Sequence, residues 1–149
     1  MIREFILGSL GAFGGALGFS LLVNAPRKTV LPISLTALAG YLVYLLLYRI
    51  AGRGVLASYF LSTVVISLFC EFEARIMRMP TTVFLLCALV PLVPGYSFYI
   101  AMLALVENDG MLAATAMMQA MQVVAAIAVG AAASSSCVRM LMSIKKRTI

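Results

Sequence analysis

Pro91, Pro94 and Gly95 interrupt an apolar run that extends from about Thr81 to Val106, and they carry the clearest chemical signal in the chain. Neither proline has an amide hydrogen to donate. Each ring clashes with the carbonyl four residues back, at Cys87 and Val90, while Val90 and Val93 are pushed away from helical dihedrals by the prolines that follow them. About one helical turn is expected to unwind. Pro94 suits the first position of a new half-helix, which would leave the amides of Gly95, Tyr96 and Ser97 unbonded at the positive end of its dipole. A carboxylate is the kind of group such a terminus accepts. Pro91, Pro94, Gly95, Tyr96, Ser97 and Tyr99 are therefore the candidate substrate-binding residues, with Tyr99 lining the cavity. The alternative is a plain proline kink whose freed carbonyls are satisfied by a neighbouring helix.

Other polar residues qualify by rarity. Glu107 shares a helical face with Tyr96, Tyr99 and Leu103 about three turns from the break, where it is a candidate gate or proton acceptor, or simply a solvated helix end. Gln119 and Gln122 are the only amides in the last apolar segment, and Asn24 follows the first one; all three are candidate polar lining, with interhelical hydrogen bonding the alternative for the glutamines. Tyr41, Tyr44 and Tyr48 recur at helical spacing before Arg49 and Arg53, as interfacial anchors or as an aromatic lining. The chain has no histidine, so it lacks a His-based metal site or proton shuttle. Cys70, Cys87 and Cys137 have no metal-type spacing and are expected to be small buried packers. No metalloprotease, phosphate-loop or dinucleotide motif is present, and the run Ser134, Ser135, Ser136 has no base beside it. The expectation is no enzyme, no metal and no cofactor.

These residues must be held by membrane helices. Of the 149 residues, 64% are hydrophobic and only 11% charged, with a mean hydropathy of +1.11, which excludes an ordinary soluble domain. Irregular backbone at membrane depth costs several kcal/mol for each unsatisfied group, so the break must lie against protein or a water-filled cavity. The expected fold is all-α: a polytopic membrane bundle of about five transmembrane helices, a single domain over residues 1–149. Its spans are about 5–23, 33–50, 55–72, 81–106 and 111–142. The fourth is broken at Pro91–Gly95, and its midpoint falls near Pro94, which would put the break close to the bilayer centre.

Gly8, Gly11, Gly15 and Gly18 fall within about an 80° sector of the first span, a face another helix can approach closely, and Gly14 widens it. Ala126, Gly130 and Ser134 form a second small-residue seam. Asn24, Pro26, Arg27, Lys28 and Pro32 make a short basic connection before the second span. Glu71 and Arg75 stand four apart, as a solvated pair would. The net charge of +6 comes from basic residues scattered over loop ends and the tail, which argues against nucleic acid and for charges that set orientation beside anionic lipid. With five spans, Arg27, Lys28, Arg75, Arg78, Arg139, Lys145, Lys146 and Arg147 fall on one side and Arg3, Arg49 and Arg53 on the other, so the chain is expected to run N-out, C-in.

On Pro91, Pro94 and Gly95, followed by Ser97, Tyr99, Met102 and Glu107, and on Asn24 and Pro26 after a glycine-rich first span, the chain resembles the small, five-span subunit of the bacterial threonine/serine exporter family. The resemblance implies a half-transporter of the bacterial plasma (inner) membrane. In that family the small subunit works with a separate, larger five-span subunit, and single-chain members fuse both halves into ten spans. Threonine and serine are family substrates, and two-subunit members have been linked to export of dicarboxylates such as succinate. The expected partners are thus a large subunit or further copies of the chain, the lipid bilayer and a small carboxylate-bearing metabolite. The leading expectation is a secondary exporter with alternating access around the break. Its rivals are a structural or assembly subunit without a substrate site of its own, and a channel.

Overall fold

The computed structural model describes residues 2–50, 52 and 54–147. Among them the chain is helical throughout and contains no strand, as the apolar periods require. Helix α1 is Ile2–Leu22, α2 is Arg27–Leu45, α3 is Val55–Met77, α4 is Thr81–Ala88, α5 is Gly95–Val106 and α6 is Gly110–Arg147. α2 continues as a π-helical turn over Leu46–Ile50, and a 3-10 turn at Val90–Leu92 follows α4. Four helices are long and apolar enough to cross a membrane, and α4 and α5, bent by 59° at the break, are together long and apolar enough for a fifth.

The boundaries differ from the sequence expectation mainly at α2. Arg27, Lys28 and Pro32 are helical rather than a connection: Pro26 precedes the helix, Thr29 donates through its amide and its hydroxyl to the Pro26 carbonyl, and Pro32 is carried inside. Three helices end on the same device. Asn24, Arg78 and Asn108 adopt left-handed φ of 56°, 54° and 59°, and each is followed by an amide that reaches back five residues, from Ala25 to Ser20, Met79 to Ala74 and Asp109 to Ala104. That double closure satisfies the terminal carbonyls, and asparagine is the usual non-glycine choice at such a position. α6 then starts on Asp109, whose Oδ1 accepts from the Leu112 amide at 3.0 Å.

The core is built from small residues and a few large ones. Ala16, Ile33, Ala37, Ile66, Cys70, Phe84, Cys87, Ala88 and Leu92 bring α1, α2, α3 and α4 together. Close approach is concentrated where glycine permits it: Gly40 of α2 lies directly against the Ile66 side chain and accepts a hydrogen bond from Ser62 at its carbonyl. Gly130 of α6 is buried against α3, where an added Cβ would lie 3.0 Å from the Phe60 carbonyl oxygen. The α1 stripe behaves differently. Gly8 packs on the ring of Tyr41, but Gly11, Gly14, Gly15 and Gly18 face open space. Cys70 and Cys87 are buried as expected, whereas Cys137 is exposed on α6.

α6 runs alongside α3 in the same direction, since Gln119–Val123 lie beside Val55–Tyr59 and Gly130 lies beside Phe60 and Thr63. Two helices with one connection between them could do this only if that connection crosses the bundle. The bent pair is therefore a crossing, not a re-entrant hairpin, and the loop at Asn108 lies on the same side as the start of α3. The first turns of α6 project beyond that start, and α5 packs against α6 almost alone.

Candidate functional site

The break is narrower than a full turn, and nearly all of its backbone is accounted for. Pro91 sits in the 3-10 turn, where no amide is needed, with Leu92 donating to Leu89 at 2.9 Å and Val93 to Val90 at 3.2 Å. Pro94, at φ −77° and ψ 55°, is the centre of an inverse γ-turn in which the Gly95 amide donates to the Val93 carbonyl at 2.8 Å. The helix α5 therefore begins at Gly95 rather than at Pro94, and Gly95 does not offer a free amide. Phe98 returns to the Pro94 carbonyl at 3.2 Å. Between them, the amides of Tyr96 and Ser97 have no acceptor among the described residues, and no side chain caps the helix.

This terminus opens on a cleft of about 490 Å³ with three walls. One wall is the break and the first turn of α5: Val93, Pro94, Gly95, Tyr96 and Ser97. The second is α6, through Gln119, Gln122 and Val123, and the third is the start of α3, through Val55, Leu56 and Tyr59. The volume suits a small metabolite. No charged side chain lines it among the described residues; the polar groups it offers are the α5 terminus, the side chains of Tyr59, Tyr96 and Ser97, and the two glutamine amides. The positive end of a helix contributes about 0.3–1 kcal/mol to an anion, up to ~2 in partly buried sites. Even millimolar affinity requires about 4.1 kcal/mol, so the terminus alone is too weak to hold an anion there.

The structure thus gathers Pro94, Gly95, Tyr96, Ser97, Gln119 and Gln122 around one cleft and leaves four candidates outside its lining. Pro91 shapes the turn from behind. Tyr99 is exposed on a part of α5 away from the cleft, and Glu107 caps the far end of that helix, also exposed. Asn24 is the left-handed cap of α1, in the loop at the opposite end of the bundle. Depth also differs from the midpoint expectation: the break lies level with the first turns of α3, not with its middle. Counting residues along one span misplaces it because α4 and α5 are not collinear and α5 continues beyond the end of the α2–α3 pair.

Tyr59 was not distinguishable in the sequence, yet it links the cleft to the tyrosines of α2. Its ring packs on Tyr44 with centroids 4.6 Å apart, and Tyr44 in turn stacks on Tyr48 at 5.8 Å and meets Tyr41 at 6.1 Å. The helical spacing of Tyr41, Tyr44 and Tyr48 was the available signal; its missing half was the register of α2 against α3.

A family model described as Threonine/Serine exporter, ThrE, matches residues 9–137. The matched stretch includes the break and every residue lining the cleft. No curated protein and no solved structure matches the chain.

Proposed function

The chain belongs to the threonine/serine exporter family, and from that premise we propose that it is the small subunit of a secondary exporter of the bacterial inner membrane that binds the carboxylate of its substrate at the start of α5. One observation carries the reading: the break places Tyr96 and Ser97, whose amides are unbonded, in the lining of the same cleft as Gln119 and Gln122. Serine and threonine fit by size and by their carboxylate; a dicarboxylate such as succinate offers the same anchor at one end. Alternating access would proceed by rocking of α5 and the first half of α6 against α3, since those three elements form the walls and α5 has few other attachments. In an N-out, C-in chain the cleft lies towards the outer side, where an exporter releases its cargo. The open glycine face of α1 is the surface supporting a partner, either a larger subunit or a second copy.

Replacing Pro91 and Pro94 together with alanine tests the assignment. Interior proline disfavours helix by about 3 kcal/mol relative to alanine, so the double variant should form a continuous α4–α5 helix at no cost in stability. The amides of Tyr96 and Ser97 would then turn to the carbonyls four residues back. Binding of radiolabelled serine, threonine and succinate to the purified assembly is compared with binding of the matching carboxamides. The preference for the free carboxylate should disappear in the double variant. An assembled double variant that keeps the full preference would show the break to be structural only.

A further inference from the structure

About 21 Å along α3 from Tyr59, at the end of the bundle opposite the cleft, Glu73 makes a contact that its sequence neighbours do not foretell. Its Oε1 accepts a hydrogen bond from the Thr36 hydroxyl of α2 at 2.6 Å. Its Oε2 is sealed from solvent and has no hydrogen-bond partner. Glu71, two residues earlier, is the one that pairs with Arg75, at 3.3 Å. Thr36 is unusual as well. The hydroxyls of Ser20, Ser34, Ser58, Thr63 and Ser134 all bond back to a carbonyl of their own helix four residues earlier, whereas Thr36 reaches across to α3.

An ionised carboxylate with one oxygen sealed and undonated bears a desolvation cost that the single Thr36 hydrogen bond to its other oxygen offsets only in part. A neutral carboxyl does not. We propose that Glu73 and Thr36 form a proton-binding site between α2 and α3, at which Oε2 takes one proton from water to give a neutral carboxyl and returns it to water when the pair opens. No bond other than O–H forms or breaks. The surroundings support a single occupant of this kind: Thr36 faces Glu73 from α2, Cys70 lies near it on α3 and is itself near Cys87 of α4, and Glu71 is paired with Arg75. Among the described residues no cation forms an ion pair with Glu73, and no group of three or more possible metal ligands exists to hold a metal in place of the proton. The site lies beyond the reading of the cleft and does not depend on which substrate the cleft takes. Its mechanical consequence is local: the Thr36 contact ties α2 to α3 at one end of a seam that the Ser62 bond to Gly40 and the Tyr44–Tyr59 contact hold further along, so loss of the proton weakens that end alone.

Infrared difference spectroscopy on the purified assembly reads the site without any transport. Protein labelled with 13C-glutamate should show one carboxylic-acid carbonyl band at neutral pH that converts to carboxylate as the pH is raised. Glu73→Gln should abolish that band while Glu4, Glu71 and Glu107 remain. Thr36→Val should keep the band and shift it to higher frequency, as for a carbonyl released from a hydrogen bond. Absence of the band in the parent protein, or its survival in Glu73→Gln, overturns the site. If Glu73→Gln does not assemble, Thr36→Val decides, and an unshifted band overturns the pairing. A parent protein that shows this band but binds no carboxylate at the cleft would reject the functional proposal and leave the proton site standing.

Discussion

At the scale of single residues, the fold depends on side chains that are small enough to let backbones meet and polar enough to close the gap. Gly40 illustrates both, since Ile66 occupies the space a Cβ would need and Ser62 donates to its carbonyl. Overpacking a well-filled site costs typically about 1–3 kcal/mol, and Gly40→Ala should lose that much in an equilibrium unfolding measurement in detergent. Ile66→Ala removes the clashing atoms, so the double variant should recover part of the loss relative to the sum of the single changes. Simple additivity of the two would show that the contact is not what confines position 40. Gly130 is the comparable position between α6 and α3, but there the obstacle is the Phe60 carbonyl, and a flexible neighbour cannot move away to relieve it.

Among the helices, the small-residue seams divide into one that the chain uses itself and one that it leaves open. The seam through Gly130 and Ser134 on α6 is buried against α3, with Ser134 bonding back to the Gly130 carbonyl at 2.8 Å. The α1 seam has only Gly8 engaged. Helix association in lipid relies on close packing because the tails are as apolar as the side chains, so an open glycine face is a surface for another helix. Gly11→Leu and Gly15→Leu should therefore leave the melting behaviour of the isolated chain nearly unchanged while reducing its assembly, read by crosslinking or light scattering of the purified protein. Equal loss of both would mean that the α1 face is needed for the chain's own fold.

Over the whole molecule, the parallel course of α3 and α6 makes the bent pair a crossing and fixes which loops share a side. The turns at Asn24 and Arg78 lie at one end, and the turn at Asn108 lies with the start of α3 at the other. Of the basic residues in the orientation count, Arg53 and the side chains of Arg139, Lys145, Lys146 and Arg147 fall outside the described residues. In a cysteine-free background, Asn108→Cys should react with an impermeant thiol reagent added to intact cells, and Arg78→Cys should react only after permeabilisation. The reverse pattern would invert the orientation without disturbing the five-span plan, whereas labelling of both in intact cells would contradict that plan.

The sequence by itself determined the class of fold and where along the chain the break falls. Those follow from hydrophobic length and from proline's missing donor and fixed ring, which act locally whatever surrounds them. It also made Gln119 and Gln122 conspicuous, because uncharged amides are costly in an apolar helix. Tertiary structure decided which candidates share a cleft, and it did so through register and bend. A 59° turn at Pro94 and a parallel α3–α6 pair bring Ser97, Gln122 and Tyr59 to one place while carrying Glu107 and Asn24 away from it. It also decided what Glu73 meets, a carboxylate that the sequence left unassigned while its neighbour Glu71 was already paired by spacing with Arg75. Two residues around a helix turn the side chain by about 200°, which sends Glu71 to Arg75 and Glu73 into the seam with Thr36. The spacing to Arg75 marks Glu71 locally, but nothing local gives the partner of Glu73, which depends on which side of α3 receives α2.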